Sequence, residues 1–296
     1  MNTAHTVDTL TDSRLMDGTA LAARVLAEAA ERAAAFAERT GHAPCLATVL
    51  VGDDPASATY VRMKQNRSRK AGIDSRRVDL PATASTSQVV EAIAELSADE
   101  TVHGILLQHP CPPGVDERAA FEAIDPAKDV DGVTLHSFAT MSFGLPGFAS
   151  CTPGGIMRLL DEYEVDLRGK HAVVVGRSPI LGKPVGMLLL SRDATVTYCH
   201  SHTRDLHEIT READVLVAAV GRPNFIPGHA VKPGAVVIDA GYNAGNVGDV
   251  DFESARTRAS LITPVPGGVG PMTIAVLLDQ TVTAAEQLEK PGKNAG

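Results

Sequence analysis

Short apolar runs alternate with amphipathic stretches along most of the chain, and glycine or proline marks nearly every junction. The stretch from Gly18 to Arg39 is alanine-rich and places Leu21, Val25, Leu26 and Phe36 at helical spacing, which predicts an amphipathic helix. Cys45 to Val51 is short, apolar and partly β-branched, the pattern of a buried strand. Gly52-Asp53-Asp54-Pro55 then turns the chain into a helix over 55–71, with Asp54 as N-cap and Pro55 as first helical residue. Gly72 is its stop. Next come a strand over 76–80, a helix over 87–96 beginning near "STSQ", and a strand over 104–108 that ends in the proline-locked "HPCPPG". A helix over 118–124 leads into "DPAKDVDGVT".

A Pro/Gly-bearing stretch, "MSFGLPGFASCTPGG", separates this half from the next. A helix starts at Thr152-Pro153, and "HAVVVGRSPILGKPVGMLLLSRDATVTYCHS" reads as strand, glycine loop, helix, strand. "DVLVAAVGRP" and "GAVVIDAGYN" are further strands, and "SLITPVPGGVGPMTIAVLLDQTVTAAEQL" supplies a last strand, a Gly/Pro loop and a closing helix before a frayed tail, "EKPGKNAG". The alternation predicts an α/β fold with mostly parallel sheets whose ligand faces lie at the strand C-termini. No internal repeat is visible.

At 296 residues the chain is comfortable for two domains. Its 27 basic and 36 acidic residues give a net charge of −9, which offers no general attraction to nucleic acid or anionic membrane. The basic group Lys64, Arg67, Arg69 and Lys70 falls on one predicted helix, as a solvated face or as a phosphate patch. The four cysteines, Cys45, Cys111, Cys151 and Cys199, are scattered without a C-x-x-C pair, which argues against a zinc ribbon or a disulfide framework. Cys199-His200-Ser201-His202 looks metal-like, but no second ligand pair accompanies it, so no metal is expected. No apolar run reaches the roughly 18 residues of a membrane span, and residues 1–12 lack a signal-peptide pattern; a cytoplasmic location is the expectation.

Two places carry candidate chemistry. Tyr60 and Lys64 stand at i and i+4, on one face of the helix that follows a buried strand. The bland account is a lysine snorkelling over a tyrosine; the functional one is a ring that stacks on a flat ligand beside an amine that moves protons. The second place is "VVVGRSPILGKP", a strand, a glycine turn and a helix start, the setting of a dinucleotide-binding loop. The spacing is not G-x-G-x-x-G, since five residues separate Gly176 and Gly182, and Lys183-Pro184 rules out a P-loop. A carboxylate about 20 residues past the glycine normally takes the ribose 2′-hydroxyl of NAD. Here Thr197-Tyr198-Cys199-His200-Ser201-His202 holds no acid, while Arg177 sits in the loop itself. An arginine and hydroxyls in place of a carboxylate suit a 2′-phosphate, so the expected cofactor is NADP.

With "VGDDPASATYVRMK", "GILLQHP", "KDVDG", "VVVGRSPILGKP" and "ITPVPGGVGPMT" in this order, the chain resembles the bifunctional methylenetetrahydrofolate dehydrogenase/cyclohydrolase (FolD-type) family, from "MDGTALA" at 16–22 to "PGGVGPMT" at 266–273. The resemblance implies an N-terminal α/β domain (1–150, completed by 274–296) and a Rossmann-type NADP domain (151–273), with a folate-binding cleft between them. It makes Lys64 the catalytic lysine, Gln108 its hydrogen-bonding partner and Asp131 the carboxylate that holds the pterin edge. Tyr60 becomes the stacking ring, and Pro266, Gly267, Gly268 and Val269 join it in binding substrate. Gly176, Arg177, Ser178, Ile180, Gly182, Ser201 and Tyr242 fall to the cofactor. The implied reaction oxidises 5,10-methylenetetrahydrofolate with NADP⁺ and hydrolyses the methenyl product to 10-formyltetrahydrofolate. The implied assembly is a homodimer through the Rossmann domain.

Two positions depart from the family pattern. His109 stands where a leucine is expected after Gln108, either facing outward or altering proton handling beside the lysine. Tyr242 replaces a smaller aliphatic residue, which bears on the nicotinamide pocket. On the residues alone, Asp131 also reads as a turn aspartate and Gln108 as a strand-end cap. The rival functions are a shikimate- or amino-acid-type NADP dehydrogenase and a non-catalytic folate- or nucleotide-binding module.

Overall fold

The computed structural model describes residues 14–52 and 55–289, without the side chains of 55–60. The chain enters through β1 (Arg14–Leu15), α1 (Gly18–Thr40) and β2 (Cys45–Val51). It continues through α2 (Pro55–Lys70), β3 (Asp74–Leu80), α3 (Thr86–Ala98), β4 (Gly104–Gln108), α4 (Glu117–Glu122), α5 (Leu135–Phe143) and α6 (Cys151–Glu162). Then come β5 (His171–Val175), α7 (Gly182–Leu190), β6 (Thr195–Cys199), α8 (Leu206–Thr210), β7 (Val215–Ala218), β8 (Val236–Asp239), α9 (Phe252–Arg256), β9 (Leu261–Ile262) and α10 (Val269–Leu288). The described residues fall into two compact units, one of 19–158 and 271–289, the other of 14–18 and 159–270.

In the first unit β2 is the middle strand of a parallel sheet ordered β3-β2-β4. Both its faces are covered, with Ala47 and Val49 buried on one and Leu46, Thr48 and Leu50 on the other, which is why the strand reads as a nearly continuous apolar run. Its neighbour β3 has only exposed and half-buried positions, with Arg76 and Arg77 both exposed. Helix α3 begins at a capping box, where Ser85 Oγ accepts the Gln88 amide and Gln88 Oε1 accepts the Ser85 amide. The last helix packs Ile274, Leu277, Leu278 and Val282 into the core formed with Ala29, Ala33, Leu46 and Leu106. Arg32 of α1 fastens it, donating to Asp279 at 2.6 Å and Thr283 at 2.9 Å, and Arg158 reaches the same Asp279 at 2.5 Å.

The second unit is a parallel sheet ordered β1-β9-β8-β7-β5-β6 among the described residues. Strand order reverses at β5, whose partners are β6 on one side and β7 on the other. That reversal is the switch point at which doubly wound sheets bind ligands, beyond the strand C-termini.

Three features differ from the sequence pattern. Helix α5 occupies part of the stretch that reads as a Pro/Gly separator. Thr134 caps it through the Ser137 amide and Gly144, at φ 66°, ends it, but Leu135 and Phe143 are 64% and 80% exposed while Phe138 and Met141 are half-buried, so its apolar residues are split between solvent and core. The one-turn helices α8 and α9 are too short for any periodicity. The division between units falls inside α6 rather than before it. Asp161, near the helix end, takes a bidentate pair from Arg192 at 2.9 Å, and Tyr163 Oη accepts the Asp17 amide at 2.6 Å, so the end of α6 belongs with the six-stranded sheet.

Candidate active site

Lys64 lies in the third turn of α2. Tyr60 is in the same helix, but its side chain lies outside the described residues, as does Asp54, the expected N-cap. Lys64 Nζ donates to Gln108 Oε1 at 3.0 Å, and Gln108, the last residue of β4, is buried. The amide orientation is fixed from behind, because Gln108 Nε2 donates to the His109 carbonyl at 2.8 Å and leaves the acceptor end facing the amine. Burial of the amine pulls the Lys64 pKa below the ordinary lysine value, and Asp131 and Cys151 act in the opposite direction. The His109 ring rests edge-on against buried Phe121, with centroids 6.1 Å apart. What it supplies to the lysine pair is its backbone carbonyl.

The "KDVDG" segment divides its work. Lys128 Nζ donates to the Ser97 and Asp99 carbonyls at 2.8 and 2.7 Å, closing the end of α3. Asp129 is fully buried and accepts from the Val133 and Thr134 amides and from Ser137 Oγ, at 3.1, 2.9 and 2.6 Å. The structural aspartate of this turn is therefore Asp129, while half-buried Asp131 acts electrostatically on Lys64. Gly132, at φ 65°, packs so tightly that a Cβ would lie 2.5 Å from the Ala149 and Ser150 backbones. Against this turn sits Cys151, fully buried, its thiol pushed far above the usual range by burial and by Asp131. The sequence gives no hint of this thiol beyond its place in "SCTPGG".

In the six-stranded unit the loop between β5 and α7 carries Gly176, Arg177, Ser178, Ile180 and Gly182. The glycines are there for close approach: a Cβ on Gly176 would stand 2.2 Å from the Ala219 carbonyl oxygen, and one on Gly182 2.5 Å from the Gly176 oxygen. Ser178 closes the loop itself. Its Oγ accepts the Leu181 and Gly182 amides at 3.2 and 3.3 Å, and its carbonyl accepts the Lys183 amide at 3.0 Å. The helix start is thus satisfied from within, and the loop amides of Arg177, Ser178 and Ile180 have no protein acceptor among the described residues. Those amides and the exposed guanidinium of Arg177 fit a dinucleotide phosphate. Ser201 is exposed in the turn after β6, which ends without an acid.

Beyond β7 and β8 the loops are knitted by two buried carboxylates. Asp249 accepts the Val220, Gly221 and Arg222 amides at 2.6, 2.8 and 2.8 Å. Asp239 accepts the Gly241, Asp249 and Val250 amides, each at 2.9 Å, and burial raises its pKa to about 6. Tyr242 stands between them in sequence, 57% exposed, its hydroxyl 2.5 Å from Asn246 Oδ1. Pro266 to Val269 form the turn into α10; a Cβ on Gly268 would come 2.6 Å from the Pro264 oxygen. Lys64, Gln108 and Asp131 belong to the three-stranded unit, whereas Pro266 to Val269 and the dinucleotide loop belong to the six-stranded one.

Two histidine clusters invite a metal. His200 Nδ1 accepts the His202 amide at 3.2 Å and is engaged locally. His42, His103 and Glu289 bring ligand atoms within 4.8 Å of one another. However, His103 Nδ1 accepts the Cys45 amide at 3.0 Å, so Nε2 carries the ring proton and faces Glu289 at 3.4 Å. Neither nitrogen of His103 has a lone pair left for a cation.

Residues 16–131 match the model of the tetrahydrofolate dehydrogenase/cyclohydrolase catalytic domain, and residues 150–289 that of the family's NAD(P)-binding domain. The chain belongs to the tetrahydrofolate dehydrogenase/cyclohydrolase family. Its sequence is 73% identical to the bifunctional protein FolD 1 of Streptomyces avermitilis over 92% of this chain and 95% of that one. Among solved family members, the bifunctional methylenetetrahydrofolate dehydrogenase/cyclohydrolase of Campylobacter jejuni superposes with a TM-score of 0.90 at 43% identity, covering 93% and 99% of the two chains. The Trypanosoma brucei dehydrogenase-cyclohydrolase, solved with NADP cofactor and inhibitor, gives 0.89 at 36% identity, covering 93% and 98%. Membership of the tetrahydrofolate dehydrogenase/cyclohydrolase family sets aside the shikimate-type and non-catalytic alternatives.

Proposed function

We propose that this enzyme oxidises 5,10-methylenetetrahydrofolate to the 5,10-methenyl cation with NADP⁺ and hydrolyses the cation to 10-formyltetrahydrofolate, with Lys64 moving the protons of the second step. The observation that carries the assignment is the desolvated Lys64 amine held at 3.0 Å by a neutral acceptor, Gln108. In the first step the folate nitrogen lone pair drives hydride from the methylene carbon; NADP⁺, when bound, would supply the hydride acceptor. No protein base is required there. In the second step water adds to the methenyl carbon, the bond from that carbon to N5 breaks, and one proton is released overall. Neutral Lys64 takes the proton of the attacking water, and the resulting ammonium protonates N5 as it leaves. A glutamine suits this role because it orients the amine without the charge that would hold it protonated.

Asp131 accepts paired hydrogen bonds from the pterin amino group and ring N–H. Tyr60 stacks on the folate ring, and Pro266, Gly267, Gly268 and Val269 complete its binding. Arg177 and Ser201 would hold the 2′-phosphate of NADP, the amides of Arg177, Ser178 and Ile180 would donate to its pyrophosphate, and Tyr242 would border the nicotinamide. NADP as cofactor is supported by the T. brucei relative. No helix among the described residues is long and apolar enough to cross a membrane, and the four cysteines are free, which supports a reducing cytoplasm as the location. A homodimer through the six-stranded unit is supported by β6, an edge strand among the described residues, where Tyr198 is 36% exposed, and by the adjoining helix α7, where Leu190 is 52% exposed.

The test is the pH–rate profile of methenyl hydrolysis, corrected for the spontaneous reaction. The rate should rise through an apparent pKa below the free-lysine value of about 10.4. Gln108→Glu should move that pKa upward, because the new carboxylate favours the ammonium. An unmoved profile in Gln108→Glu would remove Lys64 from the proton path.

A further inference from the structure

Asp131 is useful to a pterin only if its carboxylate is held at one angle, and the turn that carries it has little regular structure of its own. It is held from outside. Three successive carbonyls, those of Val130, Asp131 and Gly132, are each taken by groups from elsewhere in the chain. The Gly132 carbonyl accepts Ser150 Oγ at 2.7 Å, the Asp131 carbonyl accepts the Cys151 amide at 3.2 Å, and the Val130 carbonyl accepts Cys151 Sγ at 3.1 Å. The Val130 carbonyl also accepts Gln280 Nε2 at 2.8 Å. The same Nε2 donates to the Ala149 carbonyl at 3.0 Å and lies 3.5 Å from Cys151 Sγ. One amide group on α10 therefore spans the seam between the Asp131 turn and the start of α6. Its neighbour Asp279 is clamped by Arg32 and Arg158, so the backbone that projects Gln280 is itself fixed.

We propose that Gln280 is a positioning residue of the folate site, which joins the Val130–Gly132 turn to the Ala149–Cys151 segment and thereby sets the direction of Asp131. The inference rests on Asp131 as the pterin's partner. Gln280 touches no reacting atom. Every partner of its Nε2 (the Val130 and Ala149 carbonyls and, more distantly, Cys151 Sγ) lies on the two segments it joins. Glutamate in its place would set an ionised carboxylate against two carbonyl oxygens, whereas protonated glutamate could still donate once.

The experiment compares Gln280→Leu, Gln280→Glu, Asp131→Asn and the Asp131→Asn/Gln280→Leu double variant. Each is assayed for KM of methylenetetrahydrofolate, KM of NADP⁺ and kcat, with Tm recorded to show that the variant is folded. Gln280→Leu should raise the folate KM by about tenfold, the order of one lost buried hydrogen bond. Its NADP⁺ KM should stay at the wild-type value. In Gln280→Glu the folate KM should climb with pH as the new carboxyl ionises, a dependence absent from Gln280→Leu. The double variant should be no worse than Asp131→Asn alone, since residues acting through one another are not additive. A wild-type folate KM in Gln280→Leu beside an impaired Asp131→Asn overturns the inference and leaves Asp131 its role. Additive losses in the double variant overturn it as well. A wild-type folate KM in Asp131→Asn removes the pterin assignment and this inference with it.

Discussion

Adjacent residues in the dinucleotide loop do separate work. Ser178 spends its hydroxyl and its carbonyl on closing the loop onto Leu181, Gly182 and Lys183, while Arg177 projects into solvent. Arg177→Ala should therefore leave the loop folded and weaken NADP⁺ binding by about 1.5–3 kcal/mol, the size of one charged hydrogen bond. NAD⁺ binding should hardly change, and equal losses for the two cofactors, measured by titration, would take the 2′-phosphate away from Arg177. The identity of such residues was legible in the chain wherever chemistry and local spacing coincide. Lys64 stands mid-helix one turn after Tyr60 and Gln108 ends a strand; their pairing came from the family resemblance, and the structure brings them to 3.0 Å. Asp129 and Asp131 could not be told apart in "KDVDG", because only burial decides which of them caps the turn. Cys151 and Gln280 were not legible at all, since their contacts join segments 129 residues apart.

At the scale of elements the legible ones are those whose burial follows a period. The two-sided burial of β2 yields a continuous apolar run, and the Ser85–Gln88 box announces α3. Helix α5 escaped because two of its large apolar residues, Leu135 and Phe143, face solvent and Phe138 and Met141 are only half-buried, which leaves no clean apolar stripe. The closing helix ends at Leu288 as its pattern indicates, but Glu289, read as the start of a frayed tail, is tied to His42 and to His103, which is itself held by the first residue of β2. That junction predicts a pH dependence. Burial lowers the His103 pKa, Glu289 opposes the shift, and His42 and Lys128 add to it. A histidine kept neutral in the fold takes its proton first in the unfolded chain. Stability is thus fully present above the unfolded pKa of about 6.5 and falls as pH drops below it. Asp239, raised to about 6, works in the opposite sense between about 4 and 6, so wild type and variant must be compared over the same range. His103→Asn keeps an acceptor for the Cys45 amide but cannot titrate. Its Tm should decline less than wild type between pH 7.5 and 5.5, taken here as roughly one unit either side of the histidine pKa. Parallel Tm curves would mean that His103 is not the responsible group.

At the scale of the molecule, the alternation of strands and helices announced two parallel sheets, and five ordered motifs announced the family to which the chain belongs. The compact units divide within α6, where Asp161 and Tyr163 near its end are held by Arg192 and Asp17 through contacts that no local pattern records. The proposed reaction divides into a hydride transfer that needs no protein base and a hydrolysis in which Lys64 serves as one. Lys64→Met tests that division most directly, since it keeps the packing of the stem and removes the amine. NADPH formation from methylenetetrahydrofolate and hydrolysis of methenyltetrahydrofolate are measured on the same preparation, the latter corrected for its spontaneous rate. Hydrolysis should fall by about 100- to 10,000-fold, the range for a lost acid–base group, with a much smaller loss in NADPH formation. Hydrolysis at the wild-type rate, or an equal loss in both steps, would contradict the account.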